Sequence, residues 1–263
     1  MGAQGALAFL LVASAEASLL ASGSKRANRR KRGAAADKLR EQRQRLGHAA
    51  TLRTPQKAQP FRYLAVLDVE ATCERGSRPY EHEIIELPVV LVDLETLTLV
   101  DEFHSYVRPT VNTTLTDFCM KLTGITQSQV DNAPTLDPVL VQLDEWLNEL
   151  GLVHDDGVFA FATDGPWDLR FFLDRECRRK AIPKATYFDK WINIKQSFAD
   201  HYDCKRCKIH KMLELQGMRF EGRLHSGIDD SRNIARIAIK MVKDGATLYI
   251  NEGLPSVRRY KNL

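Results

Sequence analysis

Asp68 and Glu70 stand one residue apart in the stretch LDVEATC, residues 67–73, directly after the apolar run Tyr63-Leu64-Ala65-Val66. Alternation along a strand turns positions i and i+2 to the same face. Both carboxylates therefore point the same way at the end of an apolar element. Two like charges held together repel, and burying them costs several kcal/mol unless something pairs with them. A divalent cation is the partner that chemistry suggests. Further acids fall at the ends of other predicted elements: Asp164 and Asp168 after GVFAFAT, and Asp229 and Asp230 in HSGIDD, behind His225. Acids arriving from separate places at one edge of a sheet form the kind of site open α/β folds build. The residues alone leave Asp164 and Asp168 as competitors for one role, and Asp229 and Asp230 for another.

The elements that must position these groups read as follows. FRYLAVLDVE is a first strand, and IELPVVLVDLET and LVDEFHSYVRP are a second and third joined by a short turn. The unbroken apolar run 87–92 predicts a strand covered on both faces. Residues 115–122 form a short helix stopped by Gly124. LDPVLVQLDEWLNEL repeats its apolar positions at helical spacing. GVFAFAT is a buried strand, and GPWDLRFFLDRECRRK a helix that tolerates Pro166 in its first turn. DDSRNIARIAIKMVKDG is a last amphipathic helix with a stop at Gly245. The class is α/β with a mixed sheet.

Three segments follow: an extension over 1–59, a domain over 60–254 and a tail over 255–263. The chain of 263 residues is 44% hydrophobic, enough for a full core, and its net charge of +4 favours polyanionic partners only weakly. Five scattered cysteines fit a reducing compartment better than a disulfide framework. In the extension, ALAFLLVASA is too short to span a bilayer and lacks a preceding Lys or Arg. Residues 25–53 are rich in Lys and Arg and hold only two acids, Asp37 and Glu41. Such an arm reads as a solvated segment, a nuclear-localisation or RNA-binding arm, or an organelle-targeting peptide.

Taken together, DVEATCE, HEIIELPVVLVD, FHSYVRP, LTDFCMKLTGITQSQVD, TDGPWDLRFFL, KWINIK and HSGIDDSRNIARIAIKMVKDGATLYINEGL resemble the DEDDh 3'-to-5' exonucleases. Within them the match is to the Eri-1 group, which includes the three-prime histone mRNA exonuclease, over roughly residues 61–254. Val69 departs from the group's more frequent Phe, and no SAP-type nucleic-acid domain is evident. The resemblance implies an RNase H-like fold with a mixed five-stranded sheet flanked by helices. It assigns the middle acid to Asp168, and its His-x4-Asp spacing selects Asp230. It implies two Mg²⁺ ions, with Mn²⁺ a substitute, held by Asp68, Glu70, Asp168 and Asp230. His225 becomes the general base, with Glu70 beside it in catalysis. Glu70, Ala71, Thr123, Gly124 and His225, with the rim Leu122 to Ile125, are expected against the terminal nucleotide. The implied reaction is hydrolysis of RNA from its 3' end to nucleoside 5'-monophosphates. The implied partners are RNA 3' ends, structured or single-stranded, with a ribosome or ribonucleoprotein behind them and no membrane. The expected compartment is cytoplasm, nucleus or both.

Other readings compete. A DNA-directed 3' exonuclease would carry the same residues, and an inactive RNA-binding protein would share the fold. HEIIE at 82–86 has the start of a zinc-protease motif, but Glu86 stands where its second His belongs. His201, Cys204, Cys207 and His210 have near-zinc spacing with a short intervening loop. RECRRK, 175–180, reads as a solvated face with phosphate contact as the alternative.

Overall fold

The structure, a computed structural model, describes residues 57–76, 80–153 and 157–255, all within the compact unit 50–263. The basic arm and most of the C-terminal tail lie outside the described residues. Gln59 already belongs to the folded part: its side chain donates to the Ala246 carbonyl and accepts from the Leu248 amide.

The first predicted strand forms as two pieces, β1 (Tyr63–Val66) and β2 (Glu70–Ala71). Both lie antiparallel to β3 (Ile84–Asp93). Val66 faces Val90 and Glu70 faces Glu86, so the break falls opposite Pro88. Proline has no N–H to give a ladder, and the backbone around Asp68 is released from the sheet there. Every residue of β3 is buried, as its apolar run predicts. β4 (Thr98–Tyr106) pairs its far edge. On the other side of β1 come β5 (Phe159–Thr163), parallel to β1, and β6 (Lys190–Asn193), parallel to β5, then the two-residue β7 (Glu252–Gly253), antiparallel to β6. The order β4-β3-β1-β5-β6 is thus a mixed sheet of five longer strands, with β2 and β7 as short additions.

The helices cover both faces. Thr116 caps α1 (Asp117–Thr123) by accepting the Cys119 amide, and Gly124 ends it at φ 78°. α2 (Gln127–Asp131) opens with a capping box between Thr126 and Gln129. α3 (Leu136–Glu149) buries Leu136, Val139, Leu140, Leu143 and Leu147, the spacing its sequence repeats. After β5 the chain takes a wide π-helical turn, Trp167–Leu173, before the regular α4 (Asp174–Lys180). The sequence predicts one plain helix here. π turns concentrate at functional sites, and this one carries Asp168. The small α5 (Ile194–His201) and α6 (Ile209–Leu215) precede α7 (Gly227–Lys243), which starts two residues earlier than its pattern suggests and lies on β3 and β1. Among the described residues no helix is long and apolar enough to cross a membrane.

Candidate active site

Asp68 lies two residues beyond β1, and Asp164 and Asp168 follow β5, the parallel strand beside it. Their carboxylate oxygens come within 4.8 Å of one another. Glu70 on β2 forms a second group of the same reach with Asp230, in the first turn of α7, and with His225 just before that helix. The four acids and the histidine singled out in the sequence thus meet at one edge of the sheet.

Local backbone explains the meeting. Asp168 accepts the Val69 amide at 3.1 Å, so the released backbone at the strand break is stitched to the π turn. Val69 itself is buried in the core behind, away from the carboxylates. His225 adopts φ 61°, the left-handed region that few residues other than glycine enter. Its amide donates to Asp230 Oδ2 at 2.8 Å. Asp229 turns the other way, accepting the Arg223 amide and pairing with Arg232, so it braces the loop rather than the cluster. Asp164 does not stand apart as its neighbour's competitor. It joins Asp68 and Asp168 and is paired with Lys195 at 2.6 Å. Nothing in the sequence flags Lys195, which reaches the site from the start of α5.

The electrostatics are those of crowded acids. Burial first, then Asp168, Asp164, Asp230 and Glu70, push the Asp68 carboxyl well above its usual range. Burial with Asp230 and Glu86 raises Glu70 to about 8. Asp168 rises to about 8 through burial and Asp164, and Asp230 to about 7 chiefly through burial. His225 is lowered by partial burial and by Arg223 and Lys208. Asp230 Oδ1 is buried without a hydrogen-bond partner. An unpaired buried carboxylate oxygen among several other carboxylates, with His225 the one nitrogen donor in the two groups, fits hard divalent cations such as Mg²⁺ or Mn²⁺.

The expected nucleotide rim is beside this cluster but largely engaged internally. Thr123 spends its hydroxyl on the Cys119 carbonyl and the Ile125 amide. Gly124 is overlain by the Arg223 guanidinium, which a Cβ there would strike. Arg223 also donates to the Lys121 carbonyl, which ties the His225 loop to the end of α1. Ala71 is nearly buried, its carbonyl accepting the Cys119 thiol. Trp167, next to Asp168, is 59% exposed, an aromatic surface the sequence reading passed over.

Two motifs resolve differently. His201, Cys204, Cys207 and His210 do not converge: among the described residues only the two clusters above bring three candidate ligands together. RECRRK is not simply a solvated face, because Lys180 lies between the buried Glu83 and Glu176 at 2.6 Å from each.

With that geometry, the chain belongs to the exonuclease family, whose model matches residues 65–238. The 3'-5' exoribonuclease 1 of Homo sapiens is 47% identical over 197 residues, covering 73% of this chain and 56% of that protein. The chain therefore spans little more than half the length of that relative. The nuclease domain of 3'hExo, a DEDDh family member, bound to rAMP, superimposes with a TM-score of 0.71 at 45% identity, covering 73% of this chain and 98% of that one. The 3'-exonuclease solved in 3'-end specific recognition of histone mRNA stem-loop superimposes with a TM-score of 0.72 at 42% identity, covering 76% and 71%. The mixed α/β fold predicted from the sequence is that of these nucleases, and the DEDDh exonuclease fold implies use of divalent metal.

Proposed function

We propose that this chain is a metal-dependent 3'-to-5' exoribonuclease that removes nucleotides from RNA 3' ends as nucleoside 5'-monophosphates. The observation that carries the proposal is the gathering of Asp68, Glu70, Asp168, Asp230 and His225 at one sheet edge, in two groups each within 4.8 Å. Two Mg²⁺ ions bound there would offset the acids' charge, activate a water and stabilise the leaving oxygen. Asp68, Glu70, Asp168 and Asp230 are the residues to hold them, and Asp68 is the candidate bridge between the two groups. His225 accepts the proton of the attacking water on its imidazole. Its exposure leaves the ring free to reach the 3' end, while its amide keeps Asp230 in place. A proton acceptor must be neutral to work, and the lowered pKa of His225 keeps it so through neutral pH. The exposed face of Trp167 beside Asp168 offers a stacking surface for a terminal base.

RNA is preferred over DNA on the strength of the relatives, and a ribosomal or other ribonucleoprotein RNA end is the proposed physiological setting, in cytoplasm or nucleus. The basic arm, 24–53, would add phosphate contacts without choosing sequence. Matched RNA and DNA oligonucleotides, incubated with Mg²⁺ and with EDTA, test the proposal. The expected result is stepwise shortening of the RNA from its 3' end, release of 5'-monophosphates and no reaction in EDTA. Faster digestion of the DNA would reassign the substrate, and no digestion of either would leave a binding protein. His225→Ala should lower kcat by about 10²–10⁴-fold and flatten the acidic limb of the pH–rate profile while Mn²⁺ binding persists. Metal affinity lost in proportion to activity would instead make His225 a ligand.

A further inference from the structure

Glu86 is the third residue of β3, with 2% of its surface exposed, a carboxylate inside a strand that is otherwise apolar apart from its final Asp93. A buried charge of this kind is retained only where something complements it. Three donors do so. Oε2 accepts the Gly227 amide at 2.9 Å, Oε1 the Ile228 amide at 3.3 Å, and His104 Nε2 on β4 lies 2.8 Å from Oε1. Gly227 and Ile228 open α7. The first amides of a helix have no partner within it, and that end carries the positive pole of the helix. Ser226 occupies the cap position yet makes no side-chain cap bond. The cap is delivered instead from a neighbouring strand.

We propose that Glu86 is a positioning residue for the nuclease reaction, a capping carboxylate that seats the start of α7 and so sets Asp230 and His225 against Asp68 and Glu70. The inference rests on the exonuclease reading above. Its geometry is tightly bounded. A Cβ on Gly227 would stand 2.5 Å from the Asp68 carbonyl oxygen, so the helix start is pressed against the backbone of the opposing acid. Glu86 is also the register partner of Glu70 across the β2–β3 pairing. One residue of β3 therefore fixes the strand that carries Glu70 and the helix that carries Asp230. His225, with its left-handed backbone, lies two residues before Gly227, and its amide closes onto Asp230. Loosening the seat would move all of these together. Displacements of about 1 Å in a catalytic array cost on the order of 10²-fold, and residues supporting metal ligands typically contribute 10–100-fold in affinity or activity.

The test uses the full chain with Glu86→Gln and Glu86→Met. Glutamine keeps one oxygen able to accept an amide, and methionine keeps the length alone. Six quantities are read: helical content, thermal midpoint, the Gly227 amide resonance, Mn²⁺ affinity by calorimetry, and kcat and KM on a short RNA. Glu86→Met is expected to lower kcat by about 10²-fold and Mn²⁺ affinity by about 10-fold with KM within about threefold. The Gly227 amide resonance should move upfield as its hydrogen bond is lost. Glu86→Gln should retain between about a tenth and a third of wild-type kcat. A folded Glu86→Met protein with wild-type kcat overturns the proposal, and so do equal losses in the two variants, because the retained oxygen would then be irrelevant. If the methionine variant does not fold, Glu86→Gln decides alone: a several-fold lower kcat at unchanged KM supports the seat, and wild-type kcat overturns it. Failure of the exonuclease reading is distinct, since the wild-type chain would then digest no RNA while the amide resonance and Mn²⁺ binding still report on Glu86.

Discussion

Two groups of buried carboxylates in this molecule have opposite surroundings. Glu83, fully buried just before β3, accepts the amides of Thr110, Val111 and Asn112 and the ammonium of Lys180 at 2.6 Å. Burial alone would raise it, but Lys180 and those amides outweigh it and hold its pKa at about 2. Lys180 also bridges to Glu176, which accepts the Ile84 amide. At the other site Asp68, Glu70, Asp168 and Asp230 are also largely buried, yet all four are driven upward. They face one another, and Asp230 Oδ1 has no partner. Donors supplied by the fold make a carboxylate part of the scaffold. Donors left out make it a receptor for something the chain does not contain. Burial by itself distinguishes neither.

The sharpest way to break this contrast is to remove an acid from each group. Asp68→Ala or Asp230→Ala should lower kcat by at least about 10³-fold, since the metal-bound charge stabilisation it supports amounts to several kcal/mol. Stability should hold or rise, because a repelling charge has gone. Activity near wild type in either variant sinks the site assignment. A large drop in the thermal midpoint would make these acids scaffold like Glu83.

The opposite pattern is expected at the anchor. Lys180→Met leaves Glu83 and Glu176 buried without their shared cation. Breaking a buried pair this way costs about 3–5 kcal/mol. Urea unfolding should show that loss, whereas kcat of the protein still folded should stay within about twofold of wild type. A loss of activity exceeding the loss of folded protein would show that the anchor reaches the site.

The sequence makes the two groups unequally legible. The acids of the site are conspicuous because Asp-x-Glu on a strand, a later Asp and His-x4-Asp form an ordered pattern across 160 residues. Strand β3 and helices α3 and α7 are equally plain, since their apolar periods are long. What eludes the sequence depends on approach between distant segments. Lys195 reaches Asp164 from a helix too short to show a period, and Arg223 reaches Gly124 across the site. Glu86 reads only as a failed zinc-protease motif until β3 is seen to pass under α7. The break at Asp68 is signalled by Pro88, but only once the register of β1 and β3 is known. The π turn around Asp168 has no marker apart from the crowding of Trp167, Phe171 and Phe172.

The smallest effect separates the four site acids from Glu83 by sign, Glu176 being raised by its burial. In EDTA, Glu70 and Asp168 are held near 8 and Asp230 near 7, against ordinary values of 4.5 for Glu and 3.8 for Asp. Between those limits the folded chain binds more protons than the unfolded one, so these groups' contribution to stability is lost as pH rises from about 4 to about 8. Glu83 runs the other way: its contribution is present above its ordinary value of 4.5 and is lost as pH falls toward about 2. A thermal midpoint series in EDTA should therefore decline from pH 5 to pH 8. Mn²⁺ at 100 times its Kd should restore about 2.7 kcal/mol at the alkaline end, roughly 5–10 °C for a domain of this size. Asp230→Asn should flatten both the decline and the Mn²⁺ rescue, because the amide neither titrates nor repels its neighbours. Glu83→Gln should leave the alkaline decline intact and remove part of the acid-side loss. A midpoint that rises from pH 5 to pH 8 without metal would mean that the four acids are satisfied within the fold, and the contrast with Glu83 would disappear.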